Sequence, residues 1–193
     1  MGIRTFIAFP ISQEIKDHLS CISKEINLGN KIRWVSPNSM HVTMKFLGDV
    51  EEDIIEYIEK DMVQIAYKYR PCQVEIASLG VFPNMKAPTV LWAGMQGNLQ
   101  TLQCIYKDLQ ITMEEYGIPP EKRNFSPHIT LTRFPKSYTP QKIFIDYLEK
   151  NKTRSFGKLE CKELILYKSE LRPTGAIYTP LSRASLNFED EIS

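Results

Sequence analysis

A pattern that recurs at a fixed offset constrains this chain more than any other feature. His41-Val42-Thr43-Met44 returns 87 positions later as His128-Ile129-Thr130-Leu131. The same offset carries the apolar stripe Ile15, Leu19, Ile22 and Ile26 onto Leu102, Tyr106, Leu109 and Met113. It also carries a strand beginning at Ile3 onto one beginning at Val90. Amphipathic helices align easily by chance, but three elements agreeing with a motif at one spacing favour a duplicated unit. Each unit runs strand, amphipathic helix, loop and His-x-Thr strand. Two related lobes facing each other would bring both His-x-Thr strands to a shared cleft.

Local signals divide the rest of the chain. Ile3 to Phe9 reads as an apolar strand ended by Pro10, and Ser12 offers an N-cap to the helix that runs up to Gly29. Lys31 to Val35 is a short extended piece, and His41 to Leu47 the first motif strand, stopped at Gly48-Asp49. Glu51-Glu52-Asp53 place acids in the first turn of a second helix, striped by Ile54, Ile58, Met62 and Ile65. Gln73 to Phe82 and Thr89 to Met95 read as strands around a Pro-rich turn. Asn98 is a candidate cap for a third helix ending at Gly117, and Pro119 to Pro127 is a polar loop feeding the second motif strand. Thr139-Pro140 would start a fourth helix through Lys150, with proline at the first position. Lys158 to Lys168 and Ile177 to Leu186 close the fold as strands joined around Arg172-Pro173-Thr174-Gly175. No linker or low-complexity run interrupts residues 1–188, which read as a single bilobal domain, and residues 189–193 as a loose acidic tail.

Composition excludes several classes. With 42% hydrophobic and 24% charged residues over 193 positions, the chain can form a real core without a disulfide or metal staple. A formal net charge of +1 does not indicate a long nucleic-acid duplex or an acidic membrane as partner. Cys21, Cys72, Cys104 and Cys161 are scattered, with no C-x-x-C spacing, and three of them fall among apolar residues where a buried free thiol is expected. No run is long and apolar enough to span a membrane, and no secretory signal stands at the N-terminus. The expectation is a cytoplasmic protein and, by default, a monomer.

The chemistry lies in the two motif strands. In His128-Ile129-Thr130-Leu131-Thr132-Arg133, alternation sets His128, Thr130 and Thr132 on one face and Ile129 and Leu131 on the other. Imidazole titrates near neutrality, so a pair can hold one neutral base and one protonated acid at once. Thr43 and Thr130 offer neutral hydroxyl donors to the non-bridging oxygens of a phosphate. Two imidazoles and two hydroxyls suit metal-free cleavage of a phosphodiester, one His activating water and the other protonating the leaving oxygen. Arg133 would add a bidentate charge for the phosphate, but alternation turns it away from His128 unless the strand ends or bulges near Thr132. Lys45, by the same count, shares the face of His41 and Thr43. His18 lies in a helix outside any motif and reads as a surface residue. A metal site from His41 and His128 lacks further His or Cys ligands nearby. Trp34, Phe46 and Phe134 suit either stacking on a base or ordinary packing. Lys31 and Arg33 suit either a solvated basic edge or a substrate contact.

At this point the sequence resembles the 2H phosphoesterase superfamily, and within it the RNA 2′,3′-cyclic phosphodiesterases, formerly called 2′-5′ RNA ligases. The matching stretches are Arg4-Thr5-Phe6-Ile7-Ala8, Arg33-Trp34-Val35, His41 to Gly48, Leu79-Gly80-Val81-Phe82-Pro83, Val90-Leu91-Trp92, Ser126 to Arg133, Ser169-Glu170-Leu171 and Gly175-Ala176-Ile177-Tyr178. The resemblance implies an α+β bilobal fold with two antiparallel sheets flanking a central cleft and helices outside. It implies metal-independent opening of a 2′,3′-cyclic phosphate at an RNA end to a 2′-phosphomonoester, with no cofactor. It assigns His41 as proton donor and His128 as proton acceptor, and places Thr43, Thr130 and Arg133 on the phosphate. Met44 stands where Leu is usual. The alternatives are 2′-5′ RNA ligation, another cyclic-nucleotide substrate, or an RNA-end binding module drawing on Lys31, Arg33, Lys45 and Arg133.

Overall fold

A buried strand opens each half of the chain, and the helix that follows it lays an apolar stripe on the sheet. In the computed structural model, which describes residues 2–29, 32–172 and 175–187, the first strand β1 (Ile3–Pro10) has five consecutive buried residues. Helix α1 (Gln13–Glu25) starts where expected: the Ser12 hydroxyl accepts the Ile15 amide at 3.4 Å, and Ile15, Leu19 and Ile22 are buried. A two-residue strand β2 (Arg33–Trp34) and a single 3₁₀ turn at Pro37–Ser39 lead into β3 (His41–Val50). Helix α2 (Glu52–Tyr67) follows, then the hairpin of β4 (Cys72–Phe82) and β5 (Val90–Gln96). The second half repeats the order with α3 (Gln100–Glu114), β6 (His128–Arg133) and α4 (Lys142–Lys150), and ends in β7 (Ser155–Cys161), β8 (Glu163–Arg172) and β9 (Gly175–Ser185).

All strand pairs are antiparallel, and the order is β7-β4-β5-β6-β3-β1-β8-β9, with β2 added beside β6. The two antiparallel halves meet along β3 and β6 through one register pair, Val42 with Ile129. These two residues are counterparts under the 87-residue offset, so an approximate two-fold axis passes between them. Each half also borrows a strand. β4, from the first repeat, pairs with β5 and β7, whereas β8, from the second repeat, pairs with β1 and β9. The helices and the inward strand residues form one continuous core, in which Leu19, Ile58, Leu109, Val42 and Ile129 are all 0% exposed. Each such side chain contributes about 1.5–3 kcal/mol relative to an exposed one. Because Val42 and Ile129 point into this core, His41, Thr43, His128 and Thr130 alternate to the opposite face.

Several boundaries differ from expectation. The strand read over residues 158–168 is two, broken at Lys162, and its pieces travel to different places: β7 to the edge beside β4, β8 to the neighbourhood of β1. Helix α4 begins at Lys142 after the cap residue Gln141, so Pro140 precedes the helix instead of opening it. Leu99 is the cap residue of α3, with the Asn98 side chain accepting the Gln100 amide at 3.0 Å. Of the cysteines only Cys161 is fully buried; Cys72 and Cys104 are half-buried and Cys21 is exposed. The acidic tail 189–193, Lys31 and the turn residues Pro173 and Thr174 lie outside the described residues.

Candidate active site

Continuing the Val42–Ile129 register by one residue in each direction sets His41 opposite Thr130 and Thr43 opposite His128. Directly opposed side chains on antiparallel strands stand about 4.5–5.5 Å apart at Cβ, and the diagonal pair, here His41 and His128, about 7–8 Å. That diagonal leaves room for a phosphate between two imidazoles, with a threonine beside each. All four side chains are half-buried.

Both imidazoles are held in the same way. The His41 Nδ1–H donates to the Ser39 carbonyl and the His128 Nδ1–H to the Ser126 carbonyl, each at 2.8 Å. A carbonyl can only accept, so each neutral ring carries its proton on Nδ1 and leaves Nε2 free for the cleft. Ser39 and Ser126 are themselves 87 positions apart, so the duplicated unit includes the group that orients each histidine.

Aromatic rings complete the setting, and the sequence carries no pattern that points to them as a group. Phe6 lies 4.7 Å from His41 between ring centroids, and Tyr178 stands edge-on to it at 5.2 Å. Tyr167 stacks on Phe6 at 5.2 Å. Phe82 stands edge-on to His128 at 4.9 Å and contacts Trp92 at 5.2 Å. Trp92 lies over Gly80 on the adjacent strand, where a Cβ would come within 2.3 Å of the indole. Burial among these groups pushes the His41 imidazole down to about 4; the Ser39 carbonyl opposes this, and the charges of His128 and Arg133 add to it. Burial also holds His128 below its usual value, with Ser126 opposing and Arg133 adding. The same burial raises Tyr167 and Tyr178.

Arg133 reaches this group because of a bulge. Leu91 pairs with Thr132 but Trp92 with Thr130, so Leu131 is an extra residue in β6. Past the bulge Thr132 turns inward, 0% exposed, and donates to the Arg33 carbonyl at 2.7 Å, while Arg133 is exposed. Its charge is felt by His41, His128 and Tyr178 alike. β3 has the same bulge at the counterpart residue: Ile7 pairs with Lys45 but Ala8 with Thr43, leaving Met44 extra. This overturns the expectation for Lys45. It is 1% exposed and turned away from His41, with its Nζ donating to Gln110 Oε1 at 2.6 Å and to the Pro119 carbonyl at 2.7 Å. Desolvation lowers its pKa, but its role is to hold the loop before β6.

The remaining candidates separate clearly. Phe134 is buried and stacks on Tyr138 at 4.2 Å, so it is not available to a base; Trp34 is half-buried and packs against the core. Phe46 is 53% exposed. His18 is exposed, with its ring nitrogen bound to the Phe156 carbonyl at 2.9 Å. Arg33 is exposed and pairs in register with Arg133. Among the described residues no group of three or more His, Cys, Asp or Glu side chains is placed to hold a metal ion, and no helix is long and apolar enough to cross a membrane.

Comparison with known proteins agrees with the repeat and the fold. The model of the family described as LigT-like phosphoesterase matches the chain twice, over residues 9–92 and again over residues 95–178. A protein of Aquifex aeolicus named RNA 2′,3′-cyclic phosphodiesterase is 35% identical over 178 residues, covering 92% of this chain and 94% of its own. A Thermotoga maritima protein of the same name is 31% identical over 184 residues, covering 93% of each. Among solved structures, a Thermus thermophilus protein superposes with a TM-score of 0.81 at 26% identity, over 97% of this chain and 100% of that one. Escherichia coli LigT bound to 3′-AMP superposes with a TM-score of 0.78 at 22% identity, over 96% of this chain and 99% of that one, a likeness of fold. With two copies of the unit, each contributing one carbonyl-anchored histidine to a common cleft, the chain belongs to the LigT-like phosphoesterases, the 2H phosphoesterase family.

Proposed function

We propose that this protein hydrolyses the 2′,3′-cyclic phosphate at the end of an RNA to a 2′-phosphomonoester, without a metal ion. The observation that carries this reading is the pair of carbonyl-anchored imidazoles on either side of one approximate two-fold axis. Displacement at phosphorus needs a base on the side of attack and an acid on the side of departure. Two imidazoles diagonal to each other on paired strands, about 7–8 Å apart at Cβ, would meet that need with a phosphate between them. Relatives that share about a third of their residues with this chain over nearly its whole length are named for this activity.

His128 takes a proton from the attacking water as its oxygen bonds to phosphorus. The bond from phosphorus to O3′ breaks, and His41 donates a proton to the departing O3′. The products are a 2′-phosphate and a free 3′-hydroxyl; the two histidines have exchanged protonation states and return to the starting ones through solvent. Thr43 and Thr130 donate to the non-bridging oxygens, and Arg133 balances the charge that builds on them. The buried histidines resist protonation in the free protein. An anionic phosphate between them favours the imidazolium form and supplies the protonated acid the reaction requires. The anchoring is the same on both sides, so the assignment of His41 as acid follows the family resemblance.

The test is hydrolysis of an oligonucleotide ending in a 2′,3′-cyclic phosphate with a chelator present, followed by identification of the phosphate isomer. Release of a 2′-phosphate is expected, with losses of about a hundred- to ten-thousand-fold in His41→Ala and in His128→Ala. Undiminished turnover in either folded variant would overturn the mechanism.

A further inference from the structure

The two motif strands are equivalent up to their bulges and then differ. Past the bulge the second strand presents Arg133; its counterpart 87 residues earlier is Phe46, an exposed aromatic ring on the face that carries His41 and Thr43. The cleft therefore has one cationic end and one aromatic end. Beside the aromatic end runs a groove of about 550 Å³, lined by Phe46, Gly48, Ile118, Pro120, Lys122 and Arg123 among others. Phe46 lies three residues beyond Thr43, about 10 Å along a strand.

The groove wall is anchored. The buried Lys45 ammonium binds the Pro119 carbonyl and Gln110, and the Gln110 oxygen also accepts the Glu121 amide at 2.8 Å. The Glu121 carboxylate is near enough to act on Lys45, which offsets part of its charge. Lys122 and Arg123 are exposed, and neither is in an ion pair with a described residue. Some other cations are paired: Arg154 with Glu25 and Arg183 with Glu163, while Lys168 and Arg172 both lie within 4.0 Å of Glu170; what sets Lys122 and Arg123 apart is their place on the groove beside Phe46.

We infer that this groove takes the RNA chain leading to the reacting end, with Lys122 and Arg123 on the phosphates that precede the terminal nucleoside. The inference rests on the proposed hydrolysis of RNA ends. A 2′,3′-cyclic phosphate closes the 3′ end, so everything else in the substrate extends in the 5′ direction. With the reacting phosphate held towards Arg133, the terminal nucleoside points to the opposite end of the cleft, and the chain leaves past Phe46 beside Lys122 and Arg123. The protein is thereby built for a polynucleotide rather than for a free nucleoside cyclic phosphate.

The test compares wild type with the full-length double variant Lys122→Ala/Arg123→Ala. One substrate is a nucleoside 2′,3′-cyclic phosphate and the other an RNA of about eight nucleotides with the same end. Wild type should favour the RNA in kcat/KM, and the variant should lose about tenfold of that preference, through KM. For the RNA, the slope of log kcat/KM against log salt, between about 50 and 200 mM, should become shallower by about 1.4 for two phosphate contacts. An unchanged preference and slope would overturn the groove. Fluorescence anisotropy of an RNA ending in a 3′-phosphate separates the two readings. If wild type hydrolyses neither substrate yet the variant binds this RNA about tenfold more weakly, the groove stands and the hydrolysis reading fails. Equal binding by both proteins overturns the groove whatever the turnover.

Discussion

At the scale of single residues, burial holds both imidazoles below their usual pKa, and in the proposed reaction only one of them works in the neutral form. An imidazole whose folded pKa is about 4, against about 6.5 in the unfolded chain, holds its proton more tightly when the protein unfolds. Unfolding therefore takes up protons between these values, and stability rises with pH across that window. The contribution is complete above about pH 6.5 and is lost as the pH falls through 6.5 towards 4. His128 acts in the same direction. For His41 the full shift corresponds to at most about 3 kcal/mol, less whatever solvent access returns. Replacing His41 by Gln, which keeps a polar group but cannot titrate, should remove this dependence. Urea unfolding at about pH 8 and about pH 5 should show the variant gaining about 1–2 kcal/mol on wild type at the lower pH, where only part of the shift is expressed. Parallel losses in the two proteins would mean that the imidazole is not held neutral by its surroundings. The paired motif was legible at this scale: a histidine and a threonine two apart, found twice at one offset, need no fold to be noticed. The aromatic walls were not, because Phe6, Phe82, Trp92, Tyr167 and Tyr178 are spread over separate strands and share no spacing.

At the scale of the strand, one extra residue decides which side chains face the cleft. Strict alternation puts Lys45 in the cleft and Arg133 outside it; the bulges at Met44 and Leu131 reverse both. Alternation is read from residue types, and a bulge keeps the types while changing the count, so the periodicity held as far as Thr43 and Thr130 and failed beyond them. The same limit explains the break at Lys162, where the run from Lys158 to Lys168 is strand-like throughout but its two pieces find partners far apart. The inward turn of Lys45 has a measurable consequence. Lys45→Met keeps most of the length of the side chain and removes the donor to the Pro119 carbonyl, while Gln110 Oε1 retains the Glu121 amide. The orphaned carbonyl should cost about 1–3 kcal/mol. The loosening should be local, seen as faster amide hydrogen exchange over residues 118–123 with exchange in β8 and β9 unaltered. Unchanged stability together with unchanged exchange in that loop would show that the loop does not depend on Lys45.

At the scale of the whole molecule, the duplication makes one body instead of two. The first repeat runs from β1 to β4, yet β4 lies in the sheet of the second repeat, and β8 returns the exchange by pairing with β1. Order along the chain placed the strands in sequence, but nothing in residues 73–82 or 163–172 specifies that their partners lie in the other repeat. Such pairings are long-range, and they follow from the closure of the whole sheet. A cut in the loop between Phe82 and Thr89 tests this. The N-terminal fragment keeps the β1–β3 pair but leaves β4 with no partner strand and β1 without β8. The C-terminal fragment keeps β5 with β6 and β8 with β9, while β7 loses β4. Each fragment would expose the face of helices whose buried stripes pack into the shared core, and two-stranded ribbons of this size do not stand alone in water. Separately expressed fragments should therefore show no cooperative unfolding transition by circular dichroism. Mixing them should restore the transition together with hydrolysis of the cyclic phosphate, since each contributes one histidine. A cooperative transition in either fragment alone would mean that the borrowed strand is dispensable and that the halves are separate folding units joined at their motif strands.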